Sequence, residues 1–173
     1  FSLTLFLNSK FGSTGLNVGD KASDFELKSV DGKMVSLSDY KDAKGYIVIF
    51  TCNSCPYAIA YEDRIIALHK KYAPKGYPVI AINPNDAKIQ PSDSFEEMKK
   101  RASDKGFPFP YVLDETQQVT RAYGASRTPH VFLLDKELNV KYIGAIDNNH
   151  KDADAADKKY LEEMCIFISQ EIL

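Results

Sequence analysis

The sequence predicts an α/β domain with a central mixed sheet flanked by helices. Three observations predict it. Strand-like and helix-like segments alternate along the chain, the pattern of parallel strands joined by helical crossovers. The runs Tyr46 to Thr51 (YIVIFT) and Tyr77 to Asn83 (YPVIAIN) are mostly apolar and rich in β-branched residues, as strands buried on both faces require. Near the end, Val131 to Leu134 and Val140 to Ile146 flank Asp135-Lys136-Glu137 and read as an antiparallel hairpin that closes one edge of the sheet.

The elements follow in order. Phe25-Glu26-Leu27 and Met34 to Leu37 flank Asp31-Gly32, a strong hairpin turn signal. Tyr46 to Thr51 is the first buried strand. Pro56 to Tyr72 is a helix, with Tyr61, Ile65, Leu68 and Tyr72 at helical spacing. Tyr77 to Asn83 is the second buried strand. Ser94-Phe95-Glu96-Glu97 has capping-box spacing and opens a helix through about Ser103. Tyr111 to Leu113 is a short strand, and Thr116 to Tyr123 a helix ended by Gly124. The hairpin follows, and Lys159 to Ile172 is a terminal helix.

The chain has 173 residues, enough for one domain with its own core. A formal net charge of −2 offers no basic face for nucleic acid or for a membrane surface. No apolar stretch approaches the ~20 residues of a membrane span. Three cysteines are too few for a disulfide-stapled scaffold. Residues 1–15 read in two ways. Apolar Phe1 to Leu7 followed by small polar residues resembles the tail of a secretory signal, which would make the protein periplasmic or secreted. No charged segment precedes it, so an N-terminal arm or strand is the alternative, and a cytoplasmic setting stays open. Residues 16–173 form the domain.

The chemistry lies in Cys52-Asn53-Ser54-Cys55, at the junction of a buried strand and the following helix. The first-turn N–H groups lack intrahelical partners, and the helix dipole adds partial positive charge; both favour a thiolate, which is the nucleophile. Two intervening residues let the second sulfur reach the first. Cys52 can attack a disulfide, and Cys55 can release the mixed disulfide that forms. Pro56 suits a helix start, where a missing N–H costs nothing. A CxxC alone could be half a zinc site; its place in a β-α-β pattern favours redox chemistry. The second feature is Arg127-Thr128-Pro129-His130, ahead of a core strand. Proline there marks a fixed turn, and a cis bond is expected. The loop is expected to lie against the CNSC turn.

The chain resembles the thioredoxin-like superfamily, in particular its redoxin branch of alkyl hydroperoxide reductase/thiol-specific antioxidant proteins and TlpA/ResA-like oxidoreductases. The matching residues are Asp24 to Leu27, Asp31-Gly32-Lys33, Ser36 to Tyr40, Phe50 to Pro56, Tyr123-Gly124, Thr128-Pro129 and Phe132 to Asp135. The likeness spans roughly Gly15 to Ile146. It implies a thioredoxin-like fold in which Asp86 to Phe109 supplies an inserted helix. It implies Cys52 as attacking and Cys55 as resolving cysteine, with Thr128 and Pro129 facing them. Thr128, Pro129 and Thr51 are candidate substrate contacts. The implied activity is thiol–disulfide exchange with protein disulfide or dithiol substrates, with an upstream thiol reductant, no cofactor and a monomeric state.

Departures shape the alternatives. Thr51 stands where the family usually has tryptophan before the first cysteine, and the chain has no tryptophan. No acidic residue interrupts Tyr46 to Thr51, where thioredoxin keeps a buried aspartate; Glu62 and Glu26 are the candidates to exchange a proton with Cys55. A peroxiredoxin-like thiol peroxidase is the first alternative, weakened because Thr51 is adjacent to Cys52 and no proline precedes it on that strand. A copper or zinc module built from Cys52, Cys55 and His130 is the second, although copper chaperones of similar fold carry a longer Cys-x-x-x-Cys. Cys165, in the apolar helical stretch YLEEMCIFI, reads as a core residue. Asp147 to Asp157 is acidic but lacks the glycine and final glutamate of a calcium loop, so it reads as a solvated connector.

Overall fold

The structure is a computed structural model that describes residues 15–171. The reading of residues 1–15 as a signal remnant or an arm therefore falls outside the described residues, Gly15 excepted. The strands are β1 (Leu27–Ser29), β2 (Met34–Val35), β3 (Gly45–Phe50), β4 (Val79–Asn83), β5 (Tyr111–Leu113), β6 (His130–Asp135) and β7 (Val140–Gly144). The helices are α1 (Pro56–Tyr72), α2 (Phe95–Lys105), α3 (Gln118–Tyr123) and α4 (Tyr160–Glu171). One sheet runs in the order β2-β1-β5-β4-β3-β6-β7. β5, β4 and β3 are parallel; β6 runs antiparallel to β3, and β1 antiparallel to β5. The fold is thus the expected thioredoxin-like mixed sheet, with a hairpin at each edge. No helix among the described residues is long and apolar enough to cross a membrane.

Alternation along the central strands builds two cores, because successive side chains of a strand leave opposite faces. On one face Ile47, Ile49, Val79, Ala81, Val131 and Leu133 pack under α1, α2 and α4. On the other, Tyr46, Val48, Phe50, Ile80, Ile82 and Phe132 pack against Tyr123 of α3 and against Phe25 and Leu37. Every residue of β3 is buried, which is why the strand reads as an unbroken apolar run.

At three boundaries that differ from the sequence pattern, a side chain captures backbone groups. The first hairpin strand begins at Leu27, not Phe25. Asp24 Oδ1 accepts from Phe25 N at 2.7 Å and Leu37 N at 2.8 Å, and Asp24 Oδ2 accepts from Ser38 N at 3.1 Å, so this stretch is held without a ladder. α3 begins at Gln118, not Thr116. Gln117 has φ 55°, and Asp114 Oδ2 takes Thr120 N at 2.7 Å and Thr120 Oγ1 at 2.6 Å. β7 ends at Gly144, and Tyr142 Oη donates to the Ala145 carbonyl at 2.7 Å just beyond it. α3 closes on Gly124 at φ 74°, where the Gly15 backbone crosses so closely that a Cβ would collide with it.

Candidate active site

The register of β3 on β6 builds the site. Phe50, the last residue of β3, pairs with His130, the first of β6. Two residues beyond Phe50 lies Cys52, and two residues before His130 lies Thr128, so the antiparallel pairing brings them together. Cys52 Sγ and Thr128 Oγ1 are 3.2 Å apart, and Cys55 Sγ donates to the Thr128 carbonyl at 3.3 Å. The Thr128–Pro129 bond is cis. The site lies beyond the carboxyl ends of the parallel strands, the usual place for function in an open α/β sheet.

All three cysteines are free. Cys55 is the N-cap residue of α1, with Pro56 at the first helical position, and its carbonyl accepts from Ile59 N at 3.0 Å. The helix therefore starts at Pro56, as the sequence pattern indicates. Cys52 is buried, 3% exposed, whereas Cys55 is half-buried. The Thr128 hydroxyl lies against the buried Cys52 sulfur.

A second group of residues grips Asn53 and Ser54, between the two cysteines. Asp93, fully buried in a short helical turn ahead of α2, is the hub. Its Oδ1 accepts from Asn53 N at 2.6 Å and Asn83 Nδ2 at 3.0 Å. Its Oδ2 accepts from Ser54 Oγ at 2.5 Å and Asn85 Nδ2 at 2.8 Å. Tyr111 Oη accepts from Asn83 Nδ2 at 3.1 Å and donates to Asn53 Oδ1 at 3.0 Å. Asn53 Nδ2 donates to the Ser92 carbonyl at 2.8 Å. Both residues between the cysteines are thus tied to the segment ahead of α2. Burial pushes the Asp93 carboxyl up, but hydrogen bonds from Ser54, Asn85, Asn53 and Asn83 outweigh it and hold its pKa below the ordinary aspartate value. None of Asp93, Asn83, Asn85 and Tyr111 stood out in the sequence. The readable signal was Asn83, a polar residue closing an otherwise apolar strand.

The sequence-level candidates divide. Thr128 and Pro129, both half-buried, border the sulfurs. Thr51 is 6% exposed and lines a small internal cavity with Cys52, Glu62, Ile65, Phe107, Phe109 and Tyr111. Glu62 shares that cavity; Glu26 is exposed and lies just ahead of the β1–β2 hairpin at the far edge. Glu62 is engaged by Arg101 Nε at 2.5 Å, Arg101 Nη2 at 2.9 Å and Lys105 Nζ at 3.7 Å. His130 Nδ1 accepts from Ser126 N at 3.3 Å, and burial, aided by Arg127, lowers its pKa to about 4. Among the described residues no three His, Cys, Asp or Glu side chains converge to hold a metal, so Cys52, Cys55 and His130 do not form the metal site considered above. The 147–157 segment is more than a solvated connector: Asp147 is buried and binds Tyr61 Oη at 2.8 Å and Arg64 Nη1 at 2.6 Å.

The sequence pattern of the AhpC/TSA family matches residues 18–143. The chain belongs to the AhpC/TSA family. Among curated relatives it is similar to the thiol-disulfide oxidoreductase ResA of Geobacillus thermodenitrificans, 31% identical over 143 residues, which covers 81% of this chain and 76% of the relative. It is similar to ResA of Bacillus subtilis, 30% identical over 132 residues, covering 75% of this chain and 68% of the relative. Among solved structures it is similar to an uncharacterized conserved protein from Geobacillus kaustophilus, with TM-score 0.84, 35% identity, and 90% and 83% of the two chains covered. A putative thiol:disulfide interchange protein DsbE from Chlorobium tepidum superposes with TM-score 0.69 at 27% identity, covering 90% and 99%. Family membership and fold agree with the resemblance carried by the motifs, and the relatives' names agree with dithiol chemistry.

Proposed function

We propose that this protein is a thiol–disulfide oxidoreductase that exchanges disulfides with protein substrates through Cys52 and Cys55, within one domain over residues 16–173. The observation that carries the reading is the division of Thr128 between the two sulfurs. Cys52 Sγ faces the Thr128 hydroxyl, with Oγ1 at 3.2 Å. A thiolate only accepts hydrogen bonds, so hydroxyl neighbours suit it. Cys55 Sγ meets a carbonyl oxygen, which a sulfur approaches favourably only while it carries its proton. Cys52 is therefore the attacking thiolate and Cys55 the waiting thiol.

The Cys52 thiolate attacks one sulfur of a substrate disulfide. A Cys52–substrate S–S bond forms, and the other substrate sulfur leaves and takes up a proton. Cys55 then gives its proton to water and attacks Cys52 Sγ. The second substrate sulfur leaves as a thiol, and the Cys52–Cys55 disulfide remains. An upstream thiol reductant restores the dithiol; run backwards, the same steps oxidise a substrate dithiol. Thr128 and Pro129 are the proposed substrate contacts. Purified protein should catalyse the reduction of insulin disulfides by dithiothreitol. Cys52→Ser should abolish catalysis, and Cys55→Ser should accumulate a mixed disulfide on Cys52. Wild-type rates in Cys52→Ser, or a substrate trapped on Cys165, would overturn the reading.

A further inference from the structure

We propose that Asp93 is a positioning residue that acts through Ser54 to keep the Cys52–Cys55 pair reducing, by holding the Ser54 hydroxyl proton away from Cys52 Sγ. The inference rests on the dithiol chemistry proposed above. Ser54 has one hydroxyl proton and two acceptors within reach. Asp93 Oδ2 lies at 2.5 Å and Cys52 Sγ at 3.8 Å, so the carboxylate takes the proton. The competition is built into the fold. Four donors meet the Asp93 carboxylate, and all are neutral: the Asn53 amide, Ser54, Asn83 and Asn85. Among the described residues no cation forms a salt bridge with Asp93. The carboxylate is fully buried, so water does not screen it. A buried anion with no counter-ion holds the hydroxyl proton that the sulfur beyond it would need once it becomes anionic.

The effect on redox poise follows. The reduced pair carries a thiolate and the disulfide carries none, so any group that stabilises the thiolate makes the pair more oxidising. Asp93 does the reverse by withholding a donor. The substitution Asp93→Asn reverses this. A carboxamide in place of the carboxylate can donate to Ser54 Oγ, which frees the serine proton to turn toward Cys52.

The test measures the equilibrium of the Cys52–Cys55 pair against a glutathione series for wild type, Asp93→Asn, Ser54→Ala and the double variant. Asp93→Asn should favour the dithiol about tenfold, which is about 30 mV toward the oxidising side. Ser54→Ala should stay within threefold of wild type, because its proton is already withheld. The double variant should lie within threefold of Ser54→Ala. An Asp93→Asn constant within twofold of wild type overturns the proposal. So does a tenfold shift that survives in the double variant, which would mean that the charge acts without Ser54. If Asp93→Asn does not fold, Ser54→Ala alone decides: a shift beyond tenfold toward the disulfide would mean that Ser54 already serves Cys52 in the wild type. A wild-type protein that never forms the Cys52–Cys55 disulfide in the series would sink the dithiol reading itself.

Discussion

Two buried acids flank Cys52, and they are solved differently. Glu62, on α1, shares the internal cavity behind the sulfur and is neutralised by a bidentate Arg101 and by Lys105, both on α2. Asp93 holds the two residues between the cysteines and meets only neutral donors. An ion pair returns most of the cost of burying its charges and projects little field beyond itself. A carboxylate held by amides and a hydroxyl keeps its full charge and projects it on its neighbours. The difference teaches that Glu62 ties α1 to α2, while Asp93 shapes the turn that carries the chemistry.

Removing the tie should give the largest change in stability. Glu62→Ala should cost about 3 kcal/mol, the low end for breaking a buried pair, because the Arg101 side chain is 27% exposed and regains water. The glutathione equilibrium of the pair should move less than threefold. Urea unfolding measures the first and the redox series the second. A tenfold redox change would break the comparison by making Glu62 an electrostatic partner of the sulfurs.

Asp93→Asn should cost less, about 2 kcal/mol at pH 7, by weakening hydrogen bonds to a charged acceptor. Its pH dependence sharpens the contrast. The folded-state pKa of Asp93 lies below the ordinary value of 3.8. A depressed folded pKa contributes stability that is present above the unfolded value and is lost as pH falls through the folded one. Wild type and Asp93→Asn should therefore differ most above pH 3.8 and converge below it. Urea midpoints at pH 7 and pH 3 check this, and a constant gap would show that Asp93 does not titrate as a buried, hydrogen-bonded carboxylate. His130 adds a separate loss at higher pH. Its pKa of about 4 lies below the ordinary 6.5, so the unfolded chain takes up the proton first and stability falls as pH drops between those values. His130→Gln should flatten that part of the profile.

What the sequence revealed follows the range of the interactions involved. β3 and β4 were readable because burial on both faces leaves an apolar run that needs no partner to be recognised. α1 was readable from Tyr61, Ile65, Leu68 and Tyr72 on one face. The CxxC was readable because its two residues are close in the chain. The burial of Cys52 was not, since it depends on the Phe50–His130 register and on a threonine 76 residues away. The Asp93 hub was hidden for the same reason. Its contact with Asn53 spans 40 residues and starts in a segment that reads only as an inserted helix.

The smallest effect belongs to the third cysteine, which tests whether surroundings, and not the thiol itself, set reactivity. Cys165 is fully buried on the inner face of α4, packed in the core with Leu161 and Ile168. Burial, with Glu162 nearby, raises its pKa to about 12. The thiolate fraction at pH 7 is then about one in 100,000, and only the thiolate reacts. Among the described residues no hydroxyl meets Cys165 Sγ as Thr128 meets Cys52 Sγ, and Cys165 is fully buried where Cys55 is only half-buried. Brief treatment of the folded, reduced protein with iodoacetamide should therefore label Cys55 and Cys52 and leave Cys165 unmodified until urea is added. Cys165→Ala should cost about 1 kcal/mol, for the loss of one buried sulfur and the small gap it leaves, and insulin reduction should proceed at the wild-type rate. Labelling of Cys165 in the folded state, or a fall in turnover in Cys165→Ala, would show that this sulfur joins the exchange and that burial in the helix core does not silence it.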